Sequence, residues 1–420
     1  MAVMNISRSR IAPSLVIAAS LVMAACNDTG TAGPSTDPTT ILSSSTPVSS
    51  AASSQPPATT PTQSTPVSPS STPTGNCVDQ VLASMALREQ AAQLIMTGIR
   101  ASGMTSSEEA IVHAQNPGGV LLVGTSSSAD HTRTAMAKAT LAGTTHGIRP
   151  FVAADQEGGQ IQRLNGSGFD RIPAATVQGG WSSSRLTGQA TDWGSQLKKA
   201  GVNIDLAPVA DVVPAEERDD NAPIGALDRE YGSTPGPVGK HVAAFIHGMD
   251  AAGVMTSVKH FPGLGRVRGN TDFSSGVVDT VTVRGDALLA PFTAGIQAGA
   301  DMVMISTATY KKIDPDHRAV FSPTVIQGML RGDLKYGGVV ITDDVGAAAQ
   351  VASVPAGQRA TRFVAAGGDI VITAKASLTA TMVDALVEKA QQDKAFEARL
   401  KSSVRRVLAL KQRRGLVSCG

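Results

Sequence analysis

Residues 338–344 read Gly-Val-Val-Ile-Thr-Asp-Asp, a short apolar run that ends in two carboxylates. A run of this length without polar alternation is typical of a strand that is buried on both faces of a parallel sheet. Similar runs, rich in Val, Ile, Leu or Met, recur along the sequence. Together they predict eight strands, at 93–98, 118–124, 150–155, 203–208, 255–261, 301–306, 338–343 and 369–373.

Longer segments with helical character separate these strands, for example 191–200, 239–252 and 285–298. Eight strand–helix units in one α/β domain favour a (β/α)8 TIM-type barrel, which typically needs about 250 residues or more. A doubly wound open sheet is the structural alternative, but no GxGxxG or P-loop motif follows a predicted strand to support it. We interpret the basic segment near the chain end, 395–415, as a solvated packing helix.

Residues 1–25 have the features of an export signal. Arg8 and Arg10 supply a positive start, an apolar run follows, and two alanines stand directly before Cys26. This ending resembles a bacterial lipobox, so we expect cleavage before Cys26, acylation of its thiol, and an extracytoplasmic lipoprotein anchored to the cell membrane. An ordinary secretory signal that contains a cysteine is the alternative. No other segment is long and apolar enough to cross a bilayer.

Residues 26–76 are rich in Ser, Thr and Pro and nearly free of large apolar side chains. Such a segment cannot bury enough surface to offset the entropy of ordering it, so it predicts a disordered tether. The barrel domain then spans 77–420, with Cys77 and Cys419 at its two ends. Because domain termini often lie close together, we predict a Cys77–Cys419 disulfide. No cysteine pair has zinc-ligand spacing, and no metal is expected.

The charge balance argues against nucleic acid as a partner. Without Arg8 and Arg10, the 36 basic residues fall to 34, which equals the 34 acidic residues. A domain with no net positive charge offers no electrostatic attraction for DNA or RNA. Aromatic residues make up only 3% of the chain, which argues against base stacking and against an aromatic carbohydrate-binding module.

Charged side chains lie where predicted strands end, and barrels place their reactive groups at those ends. The third strand ends at Asp155 and is followed by Gln-Glu-Gly-Gly-Gln-Ile-Gln and Arg163. The fifth strand carries Lys259 and His260, and a long polar loop follows it. Carboxylates and an Arg fork suit the hydroxyl groups of a ligand. Each feature alone is also compatible with a helix cap or a satisfied core histidine.

Asp343 and Asp344 close the seventh strand. We expect one of them to point into the barrel mouth and the other to cap the following helix. Positive charge from Lys259 and Arg163 would keep the inward carboxylate ionised, as a nucleophile requires. Two capping aspartates without chemistry are the alternative. Arg229, in the long loop after the fourth strand, is by itself a surface arginine.

Three segments resemble glycoside hydrolase family 3. Residues 155–163 resemble its DQEGG-x-[VI]-Q-R segment, residues 259–265 its KHFPG-x-G segment, and residues 341–344 its nucleophile strand. Over about residues 82–416 the chain is most similar to single-domain bacterial β-N-acetylglucosaminidases of the peptidoglycan-recycling type. The resemblance implies a single catalytic barrel domain with Asp343 as nucleophile and no cofactor. It also implies a sugar-binding role for Asp155, Arg163, Arg229, Lys259 and His260.

The loop after the fifth strand departs from the family pattern. Relatives carry Asp-Ser-His there and use the Asp–His pair as acid/base, whereas this chain has Asn270-Thr271-Asp272. We therefore hypothesise that Asp272 transfers the proton directly, with Asp279 as the reserve candidate. Retaining glycosidases ordinarily use two carboxyl groups, and burial near Asp343 would raise the pKa of Asp272 toward a useful range. Water is the expected acceptor, because a carboxylate repels phosphate.

Two other functions stay open at this point. One is a β-glucosidase or β-xylosidase of the same family, although those enzymes commonly add a second domain that supplies the acid. The other is a non-catalytic lipoprotein that binds N-acetylglucosamine. The resemblance and the predicted location together imply glycans or muropeptides that contain N-acetylglucosamine as the substrate. We expect a monomer.

Overall fold

Eight parallel strands form the central sheet of the computed structural model, which describes residues 74–142 and 146–418. Every predicted strand is present within a few residues of its expected position. The strands are β1 (Ile95–Arg100), β2 (Gly119–Val123), β3 (Phe151–Ala154), β4 (Ile204–Asp205), β5 (Met255–Phe261), β6 (Met302–Ile305), β7 (Val339–Thr342) and β8 (Val371–Thr373).

The sheet curls into a nearly closed barrel. Each strand from β1 to β7 is hydrogen-bonded to the next in chain order, and β8 pairs with β1 in parallel. The last gap, between β7 and β8, is narrowed by a parallel bridge between Ile341 and Ile370 and by a 3.0 Å bond from the Thr342 amide to the Ile370 carbonyl. The predicted (β/α)8 TIM-type fold is therefore confirmed.

Helices surround this sheet. They are α1 (Thr74–Ser84), α2 (Leu87–Ala92), α3 (Ser106–Gln115), α4 (Ala129–Ala142), α5 (Ala175–Gln178), α6 (Ser183–Lys199), α7 (Pro235–Ala251), α8 (Ala290–Gln297), α9 (Ala356–Ala366), α10 (Thr379–Gln392) and α11 (Lys394–Arg413), together with a π-helix at Thr324–Asp333. Within residues 74–142 and 146–418 no helix is both long and apolar enough to span a membrane.

The helix predicted at 285–298 begins later than expected. Its first residues form a separate 3-10 turn, Ala287–Leu289, capped by the Asp286 side chain, which accepts from the Leu288 amide. The α-helix starts only at Ala290, with Pro291 in its first turn. Proline lacks the amide hydrogen that a helix interior requires and is tolerated in the first turn, so its position favours this late start.

Several predictions about the two chain ends concern residues that the structure does not describe. The predicted export signal, Cys26 and most of the predicted tether lie outside the described residues, as does Cys419. Cys77 is disulfide-bonded, and its pairing with Cys419 stays a prediction. The tether prediction, 26–76, was wrong for its last three residues, because α1 already begins at Thr74.

A lysine lies buried at the amino-terminal end of the barrel. Lys411, on α11, is fully buried and donates 2.8 Å hydrogen bonds to Gln93 Oε1 and the Gly118 carbonyl. Its Nζ also lies 4.9 Å from the ring centre of Phe151. The interpretation of residues 395–415 as a solvated helix was therefore wrong for this face. Burial without a carboxylate partner lowers the pKa of Lys411 to about 7.

The lowered pKa predicts a pH-dependent stability. Between pH 7 and 10 the unfolded chain binds the Lys411 proton while the folded chain does not, so the free energy of unfolding should rise with pH. Relative to Lys411→Met, the wild-type protein should gain up to about 1.4 kcal/mol per pH unit in this window. Urea unfolding of both proteins at pH 7, 8 and 9 measures the difference. A pH-independent difference would contradict the prediction.

Candidate active site

One cavity of about 740 Å³ opens at the carboxyl ends of the barrel strands. This volume lies within the ordinary range for small-ligand pockets, roughly 300–1,000 Å³. Its lining includes all seven residues that the sequence proposed for catalysis or sugar binding: Asp155, Arg163, Arg229, Lys259, His260, Asp272 and Asp343. The cavity is therefore formed by the ends of β3, β5 and β7 and by the loops after β4 and β5.

Lys259 is the buried centre of the cavity floor. Its Nζ lies 2.7 Å from Asp155 Oδ1 and 2.6 Å from Glu157 Oε1, and its side chain is 2% exposed. Burial lowers the pKa of Lys259, but the two carboxylates outweigh that effect and leave the pKa above its ordinary value. Lys259 thus stays charged while Asp155, which is partly exposed, faces the cavity.

Glu157 joins the two cations of the floor. It accepts a two-pronged bond from Arg229, at 2.8 Å from Nε and 2.7 Å from Nη2, in addition to its contact with Lys259. Burial alone would raise the pKa of Glu157, but Arg229 and Lys259 hold it well below its ordinary value. Arg229 also donates to the Pro223 carbonyl, at 2.8 Å, so most of its donors are committed within the protein.

A neutral aspartic acid lies beneath this group. Asp205 on β4 is fully buried, and one of its oxygens accepts a 3.1 Å bond from the Gln156 amide. The other oxygen has no partner in the part of the chain that the structure describes. Burial raises the pKa of Asp205 to about 8. With Asp205 protonated, two ionised carboxylates balance the Lys259 and Arg229 charges.

His260 is oriented by a carboxylate behind it. Its Nδ1 lies 2.7 Å from Oδ2 of the fully buried Asp211, whose other oxygen accepts from the backbone amides of His260 and Leu264. Because an ionised carboxylate only accepts hydrogen bonds, we assign a proton to Nδ1. The opposite nitrogen, Nε2, is then presented 3.5 Å from Arg229 Nη2 at the cavity wall.

Asp343 and Asp344 have different partners, although the second caps a turn and not the helix that was predicted. Asp344 accepts hydrogen bonds from the amides of Gly346, Ala347 and Ala374, and so caps the turn that follows β7. Asp343 lines the cavity, and its carboxylate accepts one bond, from the Asp344 amide at 2.9 Å. Asp344 also borders the cavity, but three backbone amides occupy its oxygens, so Asp343 is the carboxylate more available to a ligand.

The pKa of Asp343 is raised, whereas the sequence predicted that nearby positive charge would lower it. Burial raises its pKa, and so does the charge of Asp272, while His260 and Lys259 act in the opposite direction. The expectation that nearby cations dominate was wrong, because burial has the largest effect on the pKa of Asp343 and outweighs His260 and Lys259. Arg163, which was expected to help, is not among the main charges that act on Asp343.

Asp272 reaches the cavity on a loop that is fastened to the segment after β7. The Ala349 amide donates to the Asp272 carbonyl, at 3.0 Å, and the Gln350 amide donates to the Thr271 carbonyl, at 3.1 Å. The Gln350 side chain adds a reciprocal pair of bonds with the backbone of Val277. The loop that carries Asp272 is thus held by the segment that follows β7 and Asp343.

The surroundings of Asp272 raise its pKa above the ordinary value of an aspartic acid. Its side chain remains solvent-accessible at the cavity mouth, but partial burial raises its pKa, and the carboxylates of Asp344 and Asp155 add to this effect. Arg229 and His260 act in the opposite direction without reversing it. Asp272 and Asp343 are therefore two carboxyl groups that line one cavity and whose titrations are linked.

The hypothesis that Asp279 is the reserve proton donor was wrong. Its side chain is buried and does not line the cavity. Its oxygens accept from the amides of Val281 and Thr282 and from the Thr282 hydroxyl, all within 2.8 Å. Asp279 therefore stabilises the turn after its own short strand, Val278–Asp279, and has no access to a ligand.

Arg163 is the cation left available to a ligand. Its guanidinium lines the cavity and makes no hydrogen bond or ion pair with the rest of residues 74–142 and 146–418. In that same part of the chain no three His, Cys, Asp or Glu side chains are grouped so as to hold a metal ion. The cavity lining combines charged and hydrogen-bonding side chains, such as Arg163, with apolar ones.

The sequence from residue 86 to residue 410 matches the family described as "Glycosyl hydrolase family 3 N terminal domain". The chain belongs to glycoside hydrolase family 3. This family 3 chain is 45% identical to a solved β-N-acetylhexosaminidase from Beutenbergia cavernae, with a TM-score of 0.77 over 79% of this chain and 99% of the other.

Two further comparisons place the family 3 chain among similar proteins. A solved family 3 β-N-acetylglucosaminidase from Paenibacillus sp. is 26% identical, with a TM-score of 0.71 over 80% of this chain and 64% of the other. A "Beta-hexosaminidase" of Stenotrophomonas maltophilia is 32% identical over 233 residues, which are 53% of this chain. The match spans 66% of that relative, just under two thirds of its length.

Glu157 and Asp211 are the site residues that sequence reasoning left without a role. Glu157 stands inside the segment that had been singled out, two residues after Asp155. Asp211 lies in the loop after the fourth strand, Ile204–Asp205, just as other polar site residues lie after the strands that precede them. A search of every strand end for acidic residues would have found both, although not the cations that they contact.

The buried ion pairs predict that two similar Glu→Gln substitutions lower the free energy of unfolding by different amounts. Glu157→Gln leaves Arg229 and Lys259 short of compensating charge, so we expect a loss of about 3–5 kcal/mol in the free energy of unfolding. Glu397 also contacts two lysines, Lys394 and Lys401, each at 2.8 Å, but on the surface. Glu397→Gln should cost far less, because water and salt screen these exposed charges. Urea unfolding of both variants checks this, and equal losses would contradict it.

Proposed function

We propose that this family 3 hydrolase is a retaining exo-β-N-acetylglucosaminidase that forms a covalent glycosyl-enzyme on Asp343. The observation that carries the proposal is the pairing of Asp343 with Asp272 in one cavity, beside the Lys259–Asp155 pair. Retaining glycosidases need one carboxylate to attack the sugar and one carboxylic acid to protonate the leaving oxygen. Asp343 and Asp272 supply those two groups.

The two residues have separate tasks in the proposed first step. The Asp343 carboxylate attacks the anomeric carbon and forms an ester bond to the sugar, while the bond to the leaving oxygen breaks. Asp272 gives its proton to that oxygen, so that the leaving group departs as a neutral hydroxyl compound. The raised pKa of Asp272 increases the fraction of molecules in which Asp272 carries that proton.

In the second step Asp272 acts as a base. As a carboxylate it removes a proton from a water molecule, and the water oxygen attacks the anomeric carbon and releases Asp343. The product keeps the configuration of the substrate, and both carboxyl groups return to their starting states. The negative charge of Asp272 at this stage disfavours phosphate as the acceptor, which supports hydrolysis over phosphorolysis.

The remaining polar groups support binding of the sugar ring. Asp155 faces the cavity with its position fixed by Lys259, and Arg163 has free donors. His260 presents Nε2 with its ring oriented by Asp211. Fixed donors and acceptors of this kind bind sugar hydroxyls without paying for rearrangement. An apolar wall that includes Leu121, Leu206, Met304 and Ile372 suits the methyl group of an N-acetyl substituent.

The choice of N-acetylglucosamine follows from the similar proteins. The Beutenbergia protein is described as a β-N-acetylhexosaminidase and the Paenibacillus protein as a β-N-acetylglucosaminidase. A panel of chromogenic glycosides separates this proposal from a β-glucosidase or β-xylosidase. Binding of N-acetylglucosamine disaccharides without hydrolysis would favour a non-catalytic lipoprotein instead.

The proposed setting is the outer side of the cell membrane. The lipobox-like ending at Cys26 supports lipid anchoring, and the Ser/Thr/Pro-rich composition of residues 26–73 supports a tether. An enzyme held there meets cell-wall fragments that carry β-linked N-acetylglucosamine. We accordingly propose muropeptides and related glycans as substrates, and a monomeric enzyme.

The role of Asp272 predicts a dependence on the leaving group. Asp272→Ala should lower kcat/KM about 100-fold or more for a methyl or phenyl N-acetylglucosaminide, which needs a proton on the leaving oxygen. With a dinitrophenyl N-acetylglucosaminide the loss should be below about tenfold, because that leaving group departs as a stable anion. Steady-state kinetics with both substrates measure the contrast.

Asp279→Asn is the matched control, because its carboxyl group belongs to the same loop but lies outside the cavity. It should change kcat/KM by the same factor for both leaving groups. If Asp272→Ala also affected both substrates equally, Asp272 would not be the acid.

A further inference from the structure

Phe273 is the most exposed large apolar side chain in the part of the chain that the structure describes, at 83%. An aromatic ring exposed to water lacks the stabilisation that burial of its apolar surface would give. The Phe273 ring is exposed at the cavity mouth, where it forms part of the lining. A ligand that fills the cavity up to its mouth would contact this ring. The chain is otherwise poor in aromatic residues, at 3%.

The backbone beneath Phe273 is fixed without any ligand. The Asn270 carbonyl accepts from the amides of Phe273, at 3.1 Å, and Ser274, at 2.8 Å, which closes a tight turn. The Ala349 amide holds the Asp272 carbonyl, at 3.0 Å. The ring is therefore carried by an ordered loop. Binding to an ordered loop costs less entropy than binding to a mobile one.

The neighbouring residue indicates which part of a substrate the ring meets. Asp272 directly precedes Phe273, and in the proposed function Asp272 protonates the oxygen of the leaving group. An acid must lie within hydrogen-bond reach of that oxygen. The loop around it consequently lies beside the leaving group, whereas Lys259 and Asp155 belong to the buried floor where the cleaved sugar binds.

We propose that Phe273 is a specificity-determining residue that packs against a sugar ring in the leaving group. One face of a pyranose ring presents mainly C–H groups, which are apolar and fit the face of an aromatic ring. The chain would thus select substrates in which N-acetylglucosamine is attached to another sugar. This inference rests on the proposed function and adds to it the nature of the leaving group.

The test compares two substrates that differ only in the leaving group. Chitobiose releases a sugar, whereas β-N-acetylglucosaminyl fluoride releases a fluoride ion that has no ring. Phe273→Ala should raise KM for chitobiose roughly two- to tenfold, the range that one aromatic contact is worth. Its kcat/KM for the fluoride should stay within about twofold of the wild-type value. Phe273→Tyr keeps an aromatic face and should restore KM for chitobiose.

Val281→Ala is the matched control, because Val281 is also exposed, at 48%, but does not line the cavity. It should leave KM for both substrates unchanged. Equal losses on both substrates, or an unchanged KM for chitobiose in Phe273→Ala, would overturn the inference. Failure of the proposed function is recognised separately, because the wild-type protein would then release N-acetylglucosamine from neither substrate, and that result overturns the inference as well.

Discussion

The ion pairs that Lys259 and Arg229 make with Asp155 and Glu157 are the interactions on which the active site depends. Four charged side chains from β5, the loop after β4 and the segment after β3 meet in a largely buried space. Removing any one would leave an uncompensated charge, which a low-dielectric interior penalises strongly. The pairs therefore lock three strand ends to one another. With Lys259 and Arg229 satisfied internally, Asp155 and the unpaired Arg163 are left to face a sugar.

A second constraint fixes the proposed acid relative to the proposed nucleophile. The loop with Asp272 is hydrogen-bonded to residues 349 and 350, shortly after β7, and β7 presents Asp343. The two carboxyl groups are thus carried by two segments that are hydrogen-bonded to each other. Burial raises the pKa of both groups, and the charge of Asp272 raises that of Asp343 further. When Asp272 holds the proton, Asp343 is more easily ionised, which is the division of roles that retaining hydrolysis requires.

The barrel and the members of the site could be predicted from the sequence, whereas their contacts could not. Strands such as Val339–Thr342 are buried on both faces, so their apolar composition is visible without a structure. Lys411 shows the limit: within a basic helix it resembles a surface lysine, and only tertiary packing buries it. Asp279 was considered for chemistry because loop position does not reveal that Val281 and Thr282 already satisfy its oxygens. The ionisation of Asp343 depends on burial and on charges from distant segments, neither of which is local in sequence.

Identification of the covalent intermediate tests the central claim most directly. A 5-fluoro-β-N-acetylglucosaminyl fluoride should trap it, because the ring fluorine disfavours both oxocarbenium-like transition states while the fluoride leaving group speeds the first step. Intact-protein mass spectrometry should show the addition of one sugar residue, and peptide mapping should place it on Asp343. Asp343→Asn should remain unlabelled. Attachment to another residue, or turnover with no adduct and undiminished hydrolysis by Asp343→Asn, would contradict the account.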